Sequence, residues 1–541
     1  MMTGGDEVIP VRLLAPEAAR LGVASKSICR FTDQGDLKGQ ETGRENWIQK
    51  ADLEDCLAAA VIQPGDLAHL HEDWVPAFGV RPNYSYADRV NRNRPSPPRH
   101  SIGRAARPRG TALNAFTADV SAGLPGPEWL AGIRRIAVDG LDGVARPDTD
   151  EEVWRYSRIG DLDLDRYAPL KRQRATRTVV QRDLSAFGEL SALVVVRNGW
   201  IVEATVSSDA VDVGLYAGAV GDARDGESLF GAVLDVPVDL FGHLNRAFGP
   251  EPVAVIVPDG VRLAAPVVVV VLTDGAGAAV FPRVLVSVGA DAVADVVELH
   301  TSTEVEALVA PVLEATVGRD GHLRHALVQE LGPRVWQLGH QAFRVEQSGR
   351  LEAFAAGLGG DYARTRIDCH LVGRGADGRL AAAYYGEDDQ TLDFRTFQEH
   401  AAPDTTSELM FKGALDGESR SVYTGLIRVR PEAVRTVAHQ TNRNVKLSPD
   451  AWAESVPNLE IETDDVVCSH ASTVSPVDED QRFFLESRGV PTVVAERLLL
   501  EGFFEDVVAA SPHPAVAEML RDALADRLDR RVTETVREGV G

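Results

Sequence analysis

The centre of the sequence reads VAVIV at residues 253–257, APVVVVVL at 265–272, RVLVSV at 283–288, DVVELH at 295–300 and HALVQEL at 325–331. Each segment is short and rich in valine, and Gly, Asp and Pro fill the gaps, which indicates a succession of β-strands. No helical pattern of 10 to 15 residues separates them, and this disfavours a doubly wound α/β fold. Two architectures remain open: a β-sandwich, and a parallel β-helix whose stacked turns bury their inner faces.

Both flanks of this strand region show helical spacing of apolar residues. Residues 113–252 predict a helical or mixed region. After Asp478, one helix ends at Gly489 and Pro491 opens the next. A last helix places apolar residues four positions apart, and we expect this broad apolar face to cover an end of the strand region or to receive a partner.

Length and charge narrow the classes of function. A chain of 541 residues predicts roughly three to four domains. Hydrophobic residues make up 44% of it and charged residues 25%, which is ordinary for domains that bury a core. The net charge of -25 repels nucleic acid and anionic membranes over most of the surface, so any such contact must be local.

Cysteine usage and the N-terminus indicate a reducing compartment. Cys29, Cys56, Cys369 and Cys468 are scattered and form no CxxC pair, which argues against disulfides and against an all-cysteine zinc site. The start, MMTGGDEVIP, lacks the features of a secretory signal, and no apolar run approaches the roughly 20 residues that span a bilayer. We therefore expect a cytoplasmic protein without membrane contact.

Motifs of common catalytic frameworks are missing. GxxxxGK[ST], HExxH and GxSxG do not occur in the sequence. Any ATP hydrolysis through a P-loop must therefore come from another protein.

Residues 1–62 show the order helix, turn, helix, hairpin, helix. One helix ends at Gly22, and Ser25 caps a second helix that carries Lys26 and Arg30. The pieces APEAARLGV, SKSICRFTDQGDL, TGRENWI and KADLEDCL resemble excisionase-like winged helix-turn-helix domains. That resemblance implies DNA binding through the second helix, with Ser25, Lys26 and Arg30 as candidate DNA-binding residues. A helical adaptor stays open, because the basic and acidic residues of this segment nearly cancel.

The segment 63–112 is predicted to be a Pro/Arg-rich linker. Its stretch NRNRPSPPRHSIGRAARPRG contains six arginines, four prolines and no acidic residue, which is typical of an extended tether. Such a tether could also contact phosphates. Beyond it we predict the mixed region at 113–252, the strand core at 253–467 and a C-terminal helical domain at 468–541.

Two places in the sequence put sulfur next to imidazole. Neighbouring residues of a strand point to opposite faces and residues i and i+2 share one, so Cys468 and His470 could aim at one metal ion whereas Cys369 and His370 could not. A thiolate and a neutral imidazole suit iron or zinc, but two ligands do not complete a site. The remaining ligands must come from elsewhere in the fold or from another chain. A buried cysteine beside a hydrogen-bonded histidine is the alternative.

Between residues 407 and 508 the chain strongly resembles the SufB/SufD family of iron-sulfur cluster assembly proteins, and within it the SufD branch. The matching pieces are SELMFKGALDGESRSVYTGLIRV, AHQTNRNVKLS, ESVPNLEIETDDVVCSHASTV and DEDQRFFLESRGVPTVVAERLLLEGFFEDVV. Weaker similarity covers about residues 113–541. The resemblance implies a mainly β fold, with a right-handed parallel β-helix core flanked by N- and C-terminal helical regions.

The resemblance also implies partners and a cargo. A SufD-like scaffold subunit pairs with a SufB-like chain, recruits a SufC-like ABC ATPase, and receives sulfur indirectly from a cysteine desulfurase. It is not an enzyme by itself, because the partner hydrolyses the ATP. Its cargo is iron or a transient iron-sulfur cluster at the subunit interface.

The resemblance further assigns site residues. The family's CSH motif makes His470, and secondly Cys468, candidate metal ligands. Family members commonly read CSHGATVG, so Ala471 and Ser475 replace two glycines here, and we expect a different local turn. The helices that dock the ATPase map onto Phe483, Phe484, Leu485, Arg488, Leu498, Leu499, Gly502, Phe503 and Phe504.

Two other functions stay open at this point. One is a DNA-binding regulator in which the winged helix acts and the β-helix senses a cluster. DNA binding that weakens with salt and needs residues 1–110 would favour it. The other is a metal-free β-solenoid adaptor, in which replacing His470 with alanine has no effect.

Overall fold

The computed structural model describes residues 113–172 and 184–539, together with the backbone of three short strands near the N-terminus. The chain divides into two compact units, Met1–Ile102 and Gly103–Gly541. In the first unit, β1 (Val8–Pro10), β2 (Gly39–Thr42) and β3 (Glu45–Gln49) form an antiparallel sheet in the order β1-β3-β2.

The predicted helices of the N-terminal segment lie outside the described residues. The same holds for Ser25, Lys26 and Arg30 and for the linker at 63–112. The winged helix-turn-helix and its DNA binding therefore stay predictions.

The second unit is built mainly from strands. They are β4 Ala168–Pro169, β5 Ala192–Arg197, β6 Trp200–Val206, β7 Tyr216–Ala219, β8 Val253–Val257, β9 Val267–Thr273, β10 Ala278–Val280, β11 Arg283–Val288, β12 Val293–Ser302, β13 Ala307–Val309, β14 Val312–Val317, β15 His322–Glu330, β16 Val335–Val345, β17 Arg350–Gly357, β18 Tyr362–Leu371, β19 Asp377–Gly386, β20 Thr391–His400, β21 Thr406–Leu415, β22 Arg420–Val429, β23 Thr436–Lys446, β24 Trp452–Ile461 and β25 Val466–Pro476. Its helices are α1 Ala118–Ala122, α2 Glu128–Gly140, α3 Ser208–Asp212, α4 Gly226–Leu229, α5 Leu240–Phe248, α6 Glu479–Glu486, α7 Thr492–Ala509 and α8 Pro514–Gly539. None of these helices is both long and apolar enough to cross a bilayer.

The strands form two long sheets whose members alternate along the chain. From β15 onward, each strand belongs to the other sheet than the strand before it and lies parallel to the strand one turn earlier. Asp377 lies beside Thr406, and Thr406 beside Val437, so one turn takes about 30 residues. The result is a β-solenoid of about eight turns with flanking helices. It replaces the sandwich alternative, because parallel neighbours in one sheet are joined through the other sheet.

The space between the two sheets, here called the lumen, holds the largest apolar core. Its first turns are lined by small branched side chains such as Val269, Val286 and Val296. β9 is buried along its whole length because both of its faces are covered, which explains its uninterrupted valine run. Towards the C-terminal turns the lumen becomes polar, and the Tyr384 hydroxyl lies 2.7 Å from Asn444 Oδ1.

One charged cluster is buried in the lumen. The Glu298 carboxylate lies 2.9 Å from Nε2 of His325 and 3.3 Å from Nε2 of His300. Burial by itself raises the pKa of Glu298, but the hydrogen bonds from both histidines lower that pKa to about 2. The carboxylate is therefore held in its charged form.

The C-terminal helices pack on the outer face of the sheet that ends in β25. Val516, Leu520, Leu524 and Leu528 of α8 are buried there with outward-facing side chains such as Val328. This apolar face was predicted, but the expectation that it covers an end of the solenoid is wrong. The outer face of the sheet is itself apolar, and covering it removes more apolar surface from water than covering one edge.

Two of the expected boundaries differ from the structure. Strands are present before residue 253, because β5 pairs with β9 and β7 pairs with β8. At the other end β25 continues to Pro476, so Cys468 and His470 belong to the solenoid and not to the helical domain. The apolar pattern did not reveal this strand, because most of its residues are exposed and many of them are small or polar.

Candidate functional site at the open end of the solenoid

Within the described residues, the last turn of the solenoid has no strand beyond it. β24 is the edge strand of one sheet and β25 is the edge strand of the other. All but one of the residues of β19, three turns earlier in the same sheet, are buried or partly buried, whereas most of β25 is exposed. Inner strands of a parallel sheet bond to both neighbours, so the edge strands keep unpaired backbone N–H and C=O groups.

The two edge strands differ in whether a proline interrupts the row of free backbone N–H groups. In β24, the N–H groups of Trp452 and Glu462 donate to the preceding turn. The backbone N–H and C=O groups of the odd-numbered residues between them therefore point to the free edge. Pro457 is one of these residues and has no N–H to offer. β25 has no proline before Pro476, so it presents the longer uninterrupted edge.

Cys468 and His470 lie on the same face of β25, and this is the lumen face. The Cys468 side chain packs against an apolar cluster that includes Ile427 and Ala438. Strand alternation places His470 on the same side, one pair further along, where it is exposed at the mouth of the lumen. Cys468 is a free thiol, and its partial burial raises its pKa. The thiol therefore needs a nearby cation or metal to ionise at neutral pH.

The other sulfur and imidazole pair is split between two faces. Cys369 is fully buried in the lumen, and burial raises the pKa of its thiol. His370 points to the outside, where its Nδ1 lies 2.8 Å from Glu399. This hydrogen bond and that of Arg430 lower the pKa of Glu399 to about 2 against the opposing effect of burial. Cys369 and His370 thus share no site.

The residues around the CSH motif continue the strand. Ser469 points outward, and its hydroxyl lies 2.7 Å from Nδ1 of His439. Ala471 pairs in register with Thr441 and Ser475 with Val445. Neither Ala471 nor Ser475 has a positive φ, so the replacement of two glycines does not create the different turn that we expected.

No group of three or more His, Cys, Asp or Glu side chains within residues 113–172 and 184–539 is arranged to hold a metal ion. Cys468 and His470 are therefore two donors at most, and their role as ligands stays a prediction. A thiolate with an imidazole is a donor set that fits iron.

Sequence reasoning missed one residue at this site, Gln440. It is the register partner of His470 on β23, and it is 1% exposed. The signal was the alternation of His439, Gln440, Thr441 and Asn442, in which every second polar side chain faces the lumen. In a stretch of polar residues the sequence does not show which side chains point into the lumen, because neither set of alternating residues is apolar.

The predicted ATPase-docking residues separate into an exposed and a buried set. Phe483 is 69% exposed, Phe484 54% and Leu498 47%. Gly502 is exposed too, as is Arg488, which stacks over the Phe484 ring at 3.4 Å. Two exposed aromatic rings on α6 beside an exposed leucine on α7 are typical of an interaction surface.

The remaining docking residues anchor the helices. Phe504 is buried against the solenoid, whereas Leu485, Leu499 and Phe503 are partly buried. Burial therefore removes Phe504 from contact with a partner, whereas the other three keep part of their surface accessible.

One buried cation joins these helices to the solenoid. Lys412 of β21 points outward under α7, and its Nζ lies 2.6 and 2.7 Å from the two carboxylate oxygens of Asp506. It also donates to the Phe503 carbonyl at 2.8 Å. A cleft of about 680 Å³ lies beside this pair, between α7 and the outer faces of β23 and β25. The helices and the strand that carries His470 thus border the same cleft.

Comparison with known proteins connects this region to a family. The family model "SUF system FeS cluster assembly, SufBD core domain" matches residues 271–503. An iron-sulfur cluster assembly SufBD family protein of Mycobacterium tuberculosis is 30% identical over 406 residues, which cover 73% of this chain and 92% of that protein. The iron-sulfur cluster assembly protein SufD of Escherichia coli is 25% identical over 387 residues, 71% of this chain and 89% of its own. Protein ABCI7, chloroplastic, of Arabidopsis thaliana is 24% identical over 423 residues, 76% and 87% of the two chains.

Proposed function

This chain belongs to the SufBD family of iron-sulfur cluster assembly proteins, and on that premise we propose that it is a SufD-like scaffold subunit of a cluster assembly complex. In this role it is not an enzyme by itself. It holds iron or a nascent iron-sulfur cluster as a transient cargo and releases it after assembly. The observation that carries the proposal is the last turn of the solenoid, which no other described strand covers and which brings a free strand edge, a thiol and an imidazole together.

The proposed partner at this edge is a SufB-like solenoid. An exposed, uninterrupted strand edge is a template for pairing with a strand of another chain, because main-chain hydrogen bonds supply the affinity. Pairing along β25 covers His470 and brings side chains of the second chain next to it. Two donors from this chain and the others from the partner complete a site that opens when the interface rearranges. Such a shared site suits a cargo that has to leave.

The proposed partner at the helices is a SufC-like ABC ATPase. The surface formed by Phe483, Phe484 and Leu498 is apolar and exposed, as a docking surface requires. ATP binding by that partner then moves α6 and α7, and Lys412 connects this movement to the last turns of the solenoid. Sulfur reaches the complex from a cysteine desulfurase.

Co-purification tests the subunit assignment. The full-length chain is co-expressed with a SufB-like chain and a SufC-like chain from the same genome, and we expect a complex containing all three. A chain that stays alone at micromolar concentration contradicts the assignment.

A histidine pair tests the site. His470→Ala should abolish iron retention by the reconstituted complex, because it removes the exposed ring at the lumen mouth. His439→Ala is the matched control, since His439 is exposed on the neighbouring strand but points to the outer face. Equal iron content in the two variants contradicts the proposed site.

A substitution on the helices tests ATPase docking. Phe483→Ser combined with Phe484→Ser should remove the ATPase from the complex without lowering the stability of the chain, because both rings are exposed. Ile136→Ser is the control, since Ile136 is 73% exposed on α2, far along the sequence from the helices. Retention of the ATPase by the double variant disproves docking at this surface.

A further inference from the structure

A buried carboxamide at the lumen mouth has no hydrogen-bond partner in the part of the chain that the structure describes. Neither Nε2 nor Oε1 of Gln440 is paired with another described side chain or backbone group, although the residue is 1% exposed. Buried amides are almost always paired, because an unmade hydrogen bond costs the desolvation of the group. Among the described residues, Gln440 is the only amide of which both side-chain atoms are buried and unpaired, so both are available to a partner that arrives in another state of the protein.

The surroundings of Gln440 explain how it is held. Its amide lies across the lumen against Gly425, where a Cβ atom would come within 2.2 Å of Nε2. One turn earlier, its register partner is Leu409, which is apolar. One turn later, its register partner is His470. Adjacent strands lie about 4.8 Å apart, so two long side chains on one face of neighbouring strands can contact each other.

As a metal ligand, His470 needs a hydrogen-bond acceptor for its second ring nitrogen, and the carboxamide of Gln440 has such an acceptor. An imidazole that binds a metal through one ring nitrogen usually donates the N–H of the other nitrogen to a carbonyl, carboxylate or water, which fixes the tautomer and the ring orientation. In the isolated chain water can play this part, because His470 is exposed. Once a second solenoid covers the last turn, water is displaced and an acceptor from the protein becomes necessary.

We propose that Gln440 is the positioning residue of the His470 site, and that its carboxamide oxygen accepts the N–H of the His470 ring that does not bind the cargo. The proposal rests on the proposed function, since it takes His470 to be a ligand. It adds a residue that sequence reasoning missed. It also explains why Gly425 occupies the facing position, because any side chain there would displace the amide.

Cobalt(II) binding to the co-purified complex tests this assignment, with the visible absorption of the bound ion as the readout. Gln440→Met has a similar shape without the acceptor, and we expect it to weaken Co²⁺ binding 10- to 100-fold, the usual effect of losing a partner of a metal-binding histidine. Gln440→Glu keeps an acceptor and should restore the affinity. Gln398→Met is the matched control, because Gln398 is another amide of the lumen, 1% exposed and with an unpaired Oε1.

The outcomes separate this inference from the proposed function. If Gln440→Met binds Co²⁺ as the unchanged chain does while His470→Ala loses it, the role of Gln440 is refuted and the site stands. If Gln398→Met weakens binding as much as Gln440→Met, the effect is a general one of the lumen and the role is refuted as well. If His470→Ala still binds Co²⁺ normally, the proposed site itself fails. Thermal melting of each variant shows whether it is folded, and Gln440→Met should melt no lower than the unchanged chain because it removes an unpaired buried amide.

Discussion

The ion pair between Lys412 and Asp506 should respond unequally to the loss of its two members. The Lys412 side chain is 6% exposed, whereas that of Asp506 is 58% exposed. Asp506→Ala leaves a cation under α7 whose remaining contacts are the carbonyl and the ring face of Phe503, neither of which is charged. Lys412→Met leaves a carboxylate that water can solvate, and methionine fills most of the vacated volume. The first substitution should therefore destabilise α7 much more than the second.

The magnitude follows from the exposure of the two partners. Removing one member of a fully buried ion pair costs about 3–5 kcal/mol. Exposed pairs contribute about 0–1 kcal/mol, so the half-exposed Asp506 reduces the cost to about 1.5–3 kcal/mol for Asp506→Ala. For Lys412→Met we expect about 0–1 kcal/mol, because no charge stays buried. In the double variant the buried cation is gone, so most of the loss caused by Asp506→Ala should be recovered.

Hydrogen exchange of α7 is the appropriate assay, because a chain of two units need not unfold in one step. Amides of residues 492–509 should exchange about 10- to 100-fold faster in Asp506→Ala, since each 1.4 kcal/mol corresponds to about tenfold. Arg521→Met is the control: it breaks the pair between Arg521 and Glu505, both of them exposed, and should change exchange little. If Lys412→Met accelerates exchange as much as Asp506→Ala, or if the double variant is no better than Asp506→Ala, the buried cation is not what holds α7.

Three further predictions concern the lumen and the thiols. The pKa of Glu298 is lowered from 4.5 to about 2, so the contribution of its carboxylate to stability is present above about pH 4.5 and is lost as the pH falls towards 2. The free energy of unfolding, measured with urea, should therefore fall more steeply between pH 5 and pH 3 in the unchanged chain than in Glu298→Gln. Equal slopes in the two proteins would contradict the low pKa. Gly413→Ala should destabilise the solenoid by about 1–3 kcal/mol or more, because its Cβ would lie 1.9 Å from a buried tyrosine ring. Gly502→Ala meets no atom within 4 Å and should stabilise its helix by up to about 1 kcal/mol, so a similar change of the melting temperature in both variants refutes the close contact. Iodoacetamide, followed by peptide mass mapping, should label Cys468 slowly because burial raises its pKa, and should leave Cys369 unlabelled until the chain unfolds.

Several features of the molecule follow from local patterns in its sequence. The Val-rich segments indicated strands, and all five of those quoted overlap strands of the solenoid. Gly489 ends its helix region with a positive φ, and α7 begins directly after Pro491, as expected. Residues of α8 spaced four apart form its buried face. These predictions rest on local physics, namely side-chain periodicity and the backbone limits of glycine and proline.

Other features depended on which strands are neighbours. Residue types could not distinguish a sandwich from a solenoid, because both bury alternate side chains, and the parallel pairing of β19 with β21 decided it. The position of α8 beside the solenoid instead of over its end likewise depended on where the larger apolar surface lay. Ala471 and Ser475 were expected to alter a turn, but register with β23 keeps them in a straight strand.

Local side-chain patterns indicated the Val-rich strands and the C-terminal helices, and the i and i+2 spacing indicated that Cys468 and His470 share a face whereas Cys369 and His370 do not. Only the tertiary structure decided that this face is the lumen face at an open end, and that Gln440 lies beside His470 there. The physical reason is the range of the interactions involved. Strand alternation acts between residues two apart, whereas register joins residues about 30 apart along the chain, and no local pattern records which of them meet.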